Sequence, residues 1–166
     1  MYRLRFAALA ILVAAMCTVP GASQPPAAKK KEPPRLVPVA ETKLLMEGLA
    51  HPNFLGIERI LKSDEADAES WAFARGQAIL IAESANLLMM RPPKNAGQDA
   101  WMQHATRLRD QSTDLARSIA KKDLNASRAG LITLGNQCNS CHQTFRVPMK
   151  VSAFAPMDVS PMPRNP

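Results

Sequence analysis

The sequence is poor in cysteine, glycine and aromatic residues, and each scarcity excludes a class of protein. Three cysteines in 166 residues are too few for a disulfide-dense secreted domain. The 7 glycines form no regular repeat, which excludes a collagen-like chain, and 14 prolines are too many for a long coiled coil. Aromatic residues are only 5% of the chain and supply little bulky core material. The 46% of hydrophobic and 21% of charged residues are typical of a globular protein.

Proline is unevenly distributed, and its distribution divides the chain. Only 3 of the 14 prolines lie within residues 40–147, a length that suits one domain. We therefore predict a signal peptide at residues 1–23, a Pro/Lys-rich linker at 24–39, a folded domain at 40–147 and a flexible Pro/Met-rich tail at 148–166.

Residues 1–23 have the pattern of a cleaved secretory signal. Arg3 and Arg5 precede an apolar run at residues 6–16, which is shorter than the about 20 residues needed to span a bilayer. We expect export to the periplasm or the exterior, which are oxidising compartments. An uncleaved membrane anchor is the alternative. Cys17 follows Met16 rather than the small residue typical of lipoprotein sites, so we expect it to leave with the signal.

The flanking segments also hold most of the basic charge. The formal net charge of the chain is +7, but residues 40–147 carry 13 Lys and Arg against 12 Asp and Glu. The domain is therefore close to neutral, and the charge does not indicate nucleic acid as a partner. The linker lysines favour a solvated spacer, with weak association with a membrane surface as the alternative. Methionines in the tail suit copper(I), but no His or Cys accompanies them.

The domain predicts four helices and no strands, because good helix formers dominate and β-branched residues do not alternate. Apolar residues recur at spacings of three and four, and Pro52 is expected to kink the first helix. Asp67, Asp99 and Asn125 are candidate starts for the second, third and fourth helices. Short connections favour an all-α, up-down-up-down four-helix bundle. The helices are expected at residues 41–62, 67–91, 99–122 and 125–146.

One motif indicates a specific chemistry: Cys138-Asn139-Ser140-Cys141-His142. A Cys-x-x-Cys-His run is the attachment signature of c-type haem, in which each thiol bonds one vinyl group and the histidine ligates iron. On a helix, Cys138 and Cys141 lie on the face of Leu134 and Phe145, so the haem would join the core.

Three other interpretations of the motif stay open. A zinc site could use Cys138, Cys141 and His142 with His51 or His104, but the second Cys pair usual in such sites is missing. A thioredoxin-like redox pair expects a βαβ context, which the sequence does not predict. A structural disulfide leaves the adjacent histidine unexplained.

A haem-attachment motif on the last helix of a four-helix bundle resembles the class II cytochromes c, which include cytochrome c′ and its low-spin relatives. The resemblance covers residues 40–147 and is strongest over 134–146, LGNQCNSCHQTFR. It implies that Cys138 and Cys141 bind one haem covalently and that His142 is the proximal iron ligand. A Leu-Met pair is frequent in the first helix of the family, and Leu45-Met46 stands in the corresponding place.

Two further residues are candidates for the haem site. Met46 is either the sixth iron ligand, giving a low-spin iron suited to electron transfer, or a flexible packing residue over an open iron face. Arg146 is a candidate partner of a haem propionate, or a helix C-terminal charge that complements the dipole. Trp71, Trp101 and Phe54 are candidate porphyrin contacts or ordinary core residues.

These residues predict an exported monohaem cytochrome that carries single electrons between unidentified redox proteins. The alternative is a five-coordinate haem protein that binds gases such as NO or CO. Peroxidase activity is not expected, because the first helix offers only His51 or Glu47 as acid-base groups. A homodimer is possible within the family, although nothing in the sequence selects for one.

Overall fold

The computed structural model describes residues 35–154, and within this range the chain is helical with no strands. The predictions for the signal peptide, nearly all of the linker and the last twelve residues of the tail fall outside the described residues. Within the described part, no helix is long and apolar enough to cross a membrane. The helices are α1 (Thr42–Leu45), a π-helical segment (Met46–Ala50), α2 (His51–Lys62), α3 (Ala68–Met89), α4 (Gln98–Ala120) and α5 (Leu124–Thr144).

The first helical run passes through Pro52 by changing its hydrogen-bond pattern. Helical backbone angles continue from α1 through the π segment into α2. The His51 amide donates to the Met46 carbonyl, five residues earlier, and Pro52 follows in the first turn of α2. Pro52 has no amide hydrogen to continue the α pattern, and one wider turn accommodates its ring. The hydrogen-bond pattern is therefore irregular over Met46–Ala50, just before Pro52, where the sequence predicted a kink.

Of the three helix starts that the sequence predicted, one agrees with the structure and two differ from it. Asp67 caps α3 by accepting a 2.7 Å hydrogen bond from the Ser70 amide. Helix α4 begins at Gln98, one residue before the expected Asp99. The prediction that Asn125 caps α5 was wrong, because Asp123 accepts the Ala126 amide at 2.9 Å.

The ends of α4 and α5 have the same local structure. Lys122 and Arg146 both have φ = 56°, the left-handed region in which glycine is usual. At the end of α5, the Arg146 amide donates to Gln143 and the Val147 amide donates to His142. These two bonds define a Schellman motif, and the α5 helix ends at Thr144 rather than at the expected Arg146.

Each helix packs on the next in the chain, and α5 also packs on α2. Small side chains on α3 let neighbouring helices approach closely, which suits a chain with few aromatic residues. Arg128 of α5 donates to the Leu61 carbonyl at 2.7 Å and thereby satisfies the end of α2. The side chains with at most 2% exposure come from α2 to α5 and include Ile57, Leu61, Ala74, Ala78, Ile81, Leu115, Ile119, Leu131 and Leu134.

Residues 147–154, which we name the strap, fold back over the last helix. The sequence placed Pro148 at the start of a flexible tail, but the structure continues in contact with the helices. Val151 is buried, with only 7% of its surface exposed, and belongs to the hydrophobic core. The Phe154 amide donates to the buried Glu58 carboxylate of α2 at 2.6 Å. The packed part of the chain therefore extends at least to Phe154.

Candidate functional site

A large cavity lies where the π segment, α4, α5 and the strap meet. Its volume is about 450 Å³, within the range of small-molecule and cofactor pockets, and its wall is almost entirely apolar. The five residues that the sequence analysis assigned to the haem site as thioether, iron or propionate partners all line it. They are Met46, Cys138, Cys141, His142 and Arg146.

The two cysteines reach the cavity from one face of α5. Both are half-buried, and both are free thiols. Burial raises the pKa of the Cys138 thiol to about 12 and also raises the pKa of Cys141. A redox-active Cys-x-x-Cys pair depends on a lowered thiol pKa, so these surroundings do not favour the thioredoxin-like alternative. The apolar surroundings instead fit two protonated thiols that point into a pocket.

His142 is held by a backbone carbonyl of the strap. Its Nδ1 lies 2.9 Å from the Met149 carbonyl oxygen, which can only accept, so Nδ1 carries the hydrogen. In the neutral ring, Nε2 then keeps its lone pair, which is the form that binds a metal. The Schellman motif at Arg146 turns the chain so that Met149 lies against the helix it has just left. Histidines that ligate metals usually donate their other ring N–H in this way.

Met46 lines the large cavity and also a smaller one beside it. The smaller cavity has a volume of about 40 Å³ and shares Met46, Cys138 and His142 with the large cavity. Met46 is half-buried and packs against the hydrophobic core. It is the first residue of the π segment, and such irregular turns are frequent at functional sites.

Arg146 contributes to the cavity wall from an exposed position beyond the end of α5. Lys43 and Glu47 also line the cavity and form a long, exposed ion pair at 3.8 Å. The charged groups of the cavity are therefore exposed, whereas its depth is apolar.

Sequence reasoning missed a polar network on one wall of the cavity. The Thr144 hydroxyl donates to the Ser140 carbonyl, so it accepts from His104 Nε2 at 3.0 Å. His104 Nδ1 then accepts from the Gln137 amide at 3.1 Å. Burial and the charge of Arg107 lower the pKa of His104. His104 is half-buried, and its spacing of three from Trp101 and four from Leu108 places it on the inward face of α4.

The aromatic candidates separate into three environments. Trp101 lines the large cavity, donates to the Leu88 carbonyl at 2.7 Å and meets Phe145 edge to face at 5.1 Å. Phe54 lines the small cavity, as does His51. Trp71 is a core residue that lines neither cavity.

Preformed metal sites are not present in the described part of the chain. Between residues 35 and 154, no three His, Cys, Asp or Glu side chains converge to hold a metal ion. The zinc alternative therefore has no ligand cluster that includes His51 or His104. Comparison with models of known families, with curated proteins and with solved structures gives no match.

Proposed function

We propose that this protein is a c-type cytochrome that holds one haem through Cys138, Cys141 and His142 and carries single electrons. The observation that carries the proposal is the position of the complete Cys-x-x-Cys-His motif on the wall of one apolar cavity of about 450 Å³. The motif alone specifies the attachment chemistry. Its placement provides the space that this chemistry needs.

The residues present fit a haem in three respects. The cavity wall is apolar where a porphyrin would bury its faces, and its exposed charged residues suit the polar propionate edge. Two thiols three residues apart on α5 suit the two vinyl groups. The hydrogen bond from His142 to Met149 leaves Nε2 free to ligate iron. When bound, the haem iron supplies a reversible one-electron couple.

The other side chains of the cavity have supporting roles in this proposal. Met46 would provide a thioether ligand to the iron, which would favour a low-spin state with a raised reduction potential. Arg146 lies at the exposed part of the cavity wall, where its guanidinium can bind a propionate in bidentate fashion. Trp101 and Phe145 close the end of the cavity near the start of α4.

We further propose the up-down-up-down topology and the class II cytochrome identity that the sequence resembles. The sequential packing of the helices and the motif on the last helix support both proposals. The Cys-x-x-Cys-His motif and the signal-like residues 1–23 support export, because c-type haem is attached outside the cytoplasm. The proposed partner is another redox protein.

One observation favours gas binding as a second candidate function. The small cavity of about 40 Å³ lies beside Met46 and would hold a molecule somewhat larger than one water. If Met46 packs without ligating iron, NO or CO would find both an open coordination site and adjacent space.

The absorption spectrum of the purified, haem-loaded protein tests this proposal. An electron carrier with Met46 bound gives a low-spin spectrum that CO does not change. A high-spin ferrous spectrum that shifts with CO selects the gas-binding function. The absence of a Soret band after expression with haem-maturation machinery would contradict both functions.

A further inference from the structure

We infer that Asn139, the first variable residue of the Cys-x-x-Cys-His motif, is a positioning residue for the proximal histidine. It acts by clamping the strap, so that the Met149 carbonyl stays on His142. This inference rests on the proposed haem site. It assigns to Asn139 a role in setting the basicity of His142, the proposed iron ligand.

The clamp consists of two hydrogen bonds between one side chain and one backbone residue. Asn139 Nδ2 donates to the Val151 carbonyl at 2.7 Å, and the Val151 amide donates to Asn139 Oδ1 at 2.8 Å. The paired bonds imitate the pairing of two peptide groups. Among small side chains, a carboxamide presents one donor and one acceptor in a plane at this spacing, so Asn suits the position in a way that Asp or Ser does not.

The side chain of Val151 fixes the strap at the same point. Only 7% of its surface is exposed, and it lies in the hydrophobic core. At this point the Val151 carbonyl and the Phe54 ring both approach Gly135 of α5. Asn139 and Val151 are both partly or fully shielded from water, so water competes weakly for these bonds. The strap therefore has one firm attachment two residues after Met149.

The Schellman motif fixes the other side of Met149. The Val147 amide bonds to the carbonyl of His142 itself at 2.8 Å, so the strap leaves the helix directly at the histidine. Only Pro148 separates Val147 from Met149, and its ring restricts the backbone. The Met149 carbonyl is thus held between an attachment at Val147 and the clamp at Val151, which accounts for its 2.9 Å bond to the half-buried His142.

The carbonyl–histidine bond has a chemical consequence for a ligated iron. Donation of the Nδ1 hydrogen to an acceptor makes the opposite nitrogen a stronger base. A stronger basic ligand stabilises ferric over ferrous iron and lowers the reduction potential. Release of the strap would therefore make His142 a weaker base and raise the reduction potential. The thioether bonds at Cys138 and Cys141 would be unaffected.

The experiment compares full-length, haem-loaded wild type with three variants: Asn139→Ala, Asn139→Asp and Ser140→Ala. Asn139→Ala removes both clamp bonds, whereas Asn139→Asp keeps the acceptor for the Val151 amide and loses the donor. Ser140→Ala is the matched control, because Ser140 is the other variable residue of the motif and is exposed. The readouts are the reduction potential and the deuterium exchange rates of the Val151 amide and the His142 ring N–H.

We expect Asn139→Ala to raise the reduction potential. Exchange at the Val151 amide and at the His142 ring N–H should each become roughly two- to tenfold faster, which is the effect of losing one ordinary hydrogen bond at each group. Asn139→Asp should speed exchange less at Val151, and Ser140→Ala should match wild type. If Asn139→Ala does not accumulate, Asn139→Asp carries the test through faster exchange at the Val151 amide and at the His142 ring N–H, because its added negative charge itself lowers the potential. A haem-loaded Asn139 variant with the wild-type potential and exchange rates would overturn the inference, as would an equal change in Ser140→Ala.

Failure of the proposed function gives a different result. In that case the wild type itself lacks covalent haem, whereas exchange at Val151 still reports whether Asn139 holds the strap.

Discussion

The imidazole of His142 donates its Nδ1 hydrogen to the backbone carbonyl of Met149 at 2.9 Å. The two residues are seven apart, so the bond requires the chain to reverse at the end of α5. It links the Cys-x-x-Cys-His motif to a segment that carries no recognisable motif.

Replacement of Met46 tests the sixth ligand. Because a thioether ligand raises the reduction potential, Met46→Ala should change a low-spin ferric spectrum to high-spin and lower the potential. Met102→Ala is the control, since Met102 is an exposed methionine of α4 that lines neither cavity. A wild-type spectrum and potential in Met46→Ala would exclude ligation by Met46.

Replacement of Arg146 separates its backbone role from its charge. Arg146 and Lys122 both occupy left-handed positions at helix ends, so Arg146→Gly and Lys122→Gly should each stabilise the fold by ~0.5–1 kcal/mol in urea denaturation. Only Arg146→Gly should also lower the reduction potential, because it removes a positive charge beside the added electron. Equal potentials in the two variants would contradict the proposed propionate contact.

The network of His104 predicts a dependence of stability on pH. Burial and the charge of Arg107 lower the pKa of His104 below its ordinary value of 6.5. A protonated ring would also lose its bond from Gln137, because both ring nitrogens would then be donors.

The contribution of His104 is therefore complete above about pH 6.5 and is lost as the pH falls through its lowered pKa. Urea denaturation between about pH 8 and pH 5 should show a loss of stability that is smaller in His104→Gln. His51→Gln is the control, because His51 lies outside this network, and it should keep the wild-type pH dependence. An unchanged dependence in His104→Gln would contradict the assignment.

The start of α5 offers a test of capping. Asp123→Ala should cost ~1 kcal/mol of stability, because the Ala126 amide loses its acceptor. Asn125→Ala lies two residues further along the same helix and should cost about 0.5 kcal/mol or less. Thermal or urea denaturation measures both. A larger loss in Asn125→Ala would show that the helix begins later than at Leu124.

Local pattern was sufficient to predict the four helical stretches, the helix start at Asp67 and the shared face of Leu134, Cys138 and Cys141. These features depend on residues three or four apart, which periodicity reports directly. The capping of α5 was not predictable in the same way, since Asp123 and Asn125 are both good caps. The left-handed conformation of Lys122 ends α4 just before Asp123 and makes it the cap.

The strap and the polar network depend on residues far apart in the sequence. Pro148 predicts the end of a helix, but only the pairing of Asn139 with Val151 shows that the chain then packs against it. His104 and Gln137 lie on different helices, so their bond depends on how α4 and α5 pack. The π segment has a local cause in Pro52, although its start at Met46 is not visible in the residue pattern.

The mass of the intact, denatured protein tests the central claim most directly, because only covalently held haem survives denaturation. We expect the protein from a host with haem-maturation machinery to have the mass of its polypeptide plus one haem. The variant carrying both Cys138→Ser and Cys141→Ser should have the polypeptide mass alone. A wild-type protein with the polypeptide mass and two reactive thiols at Cys138 and Cys141 would contradict the assignment.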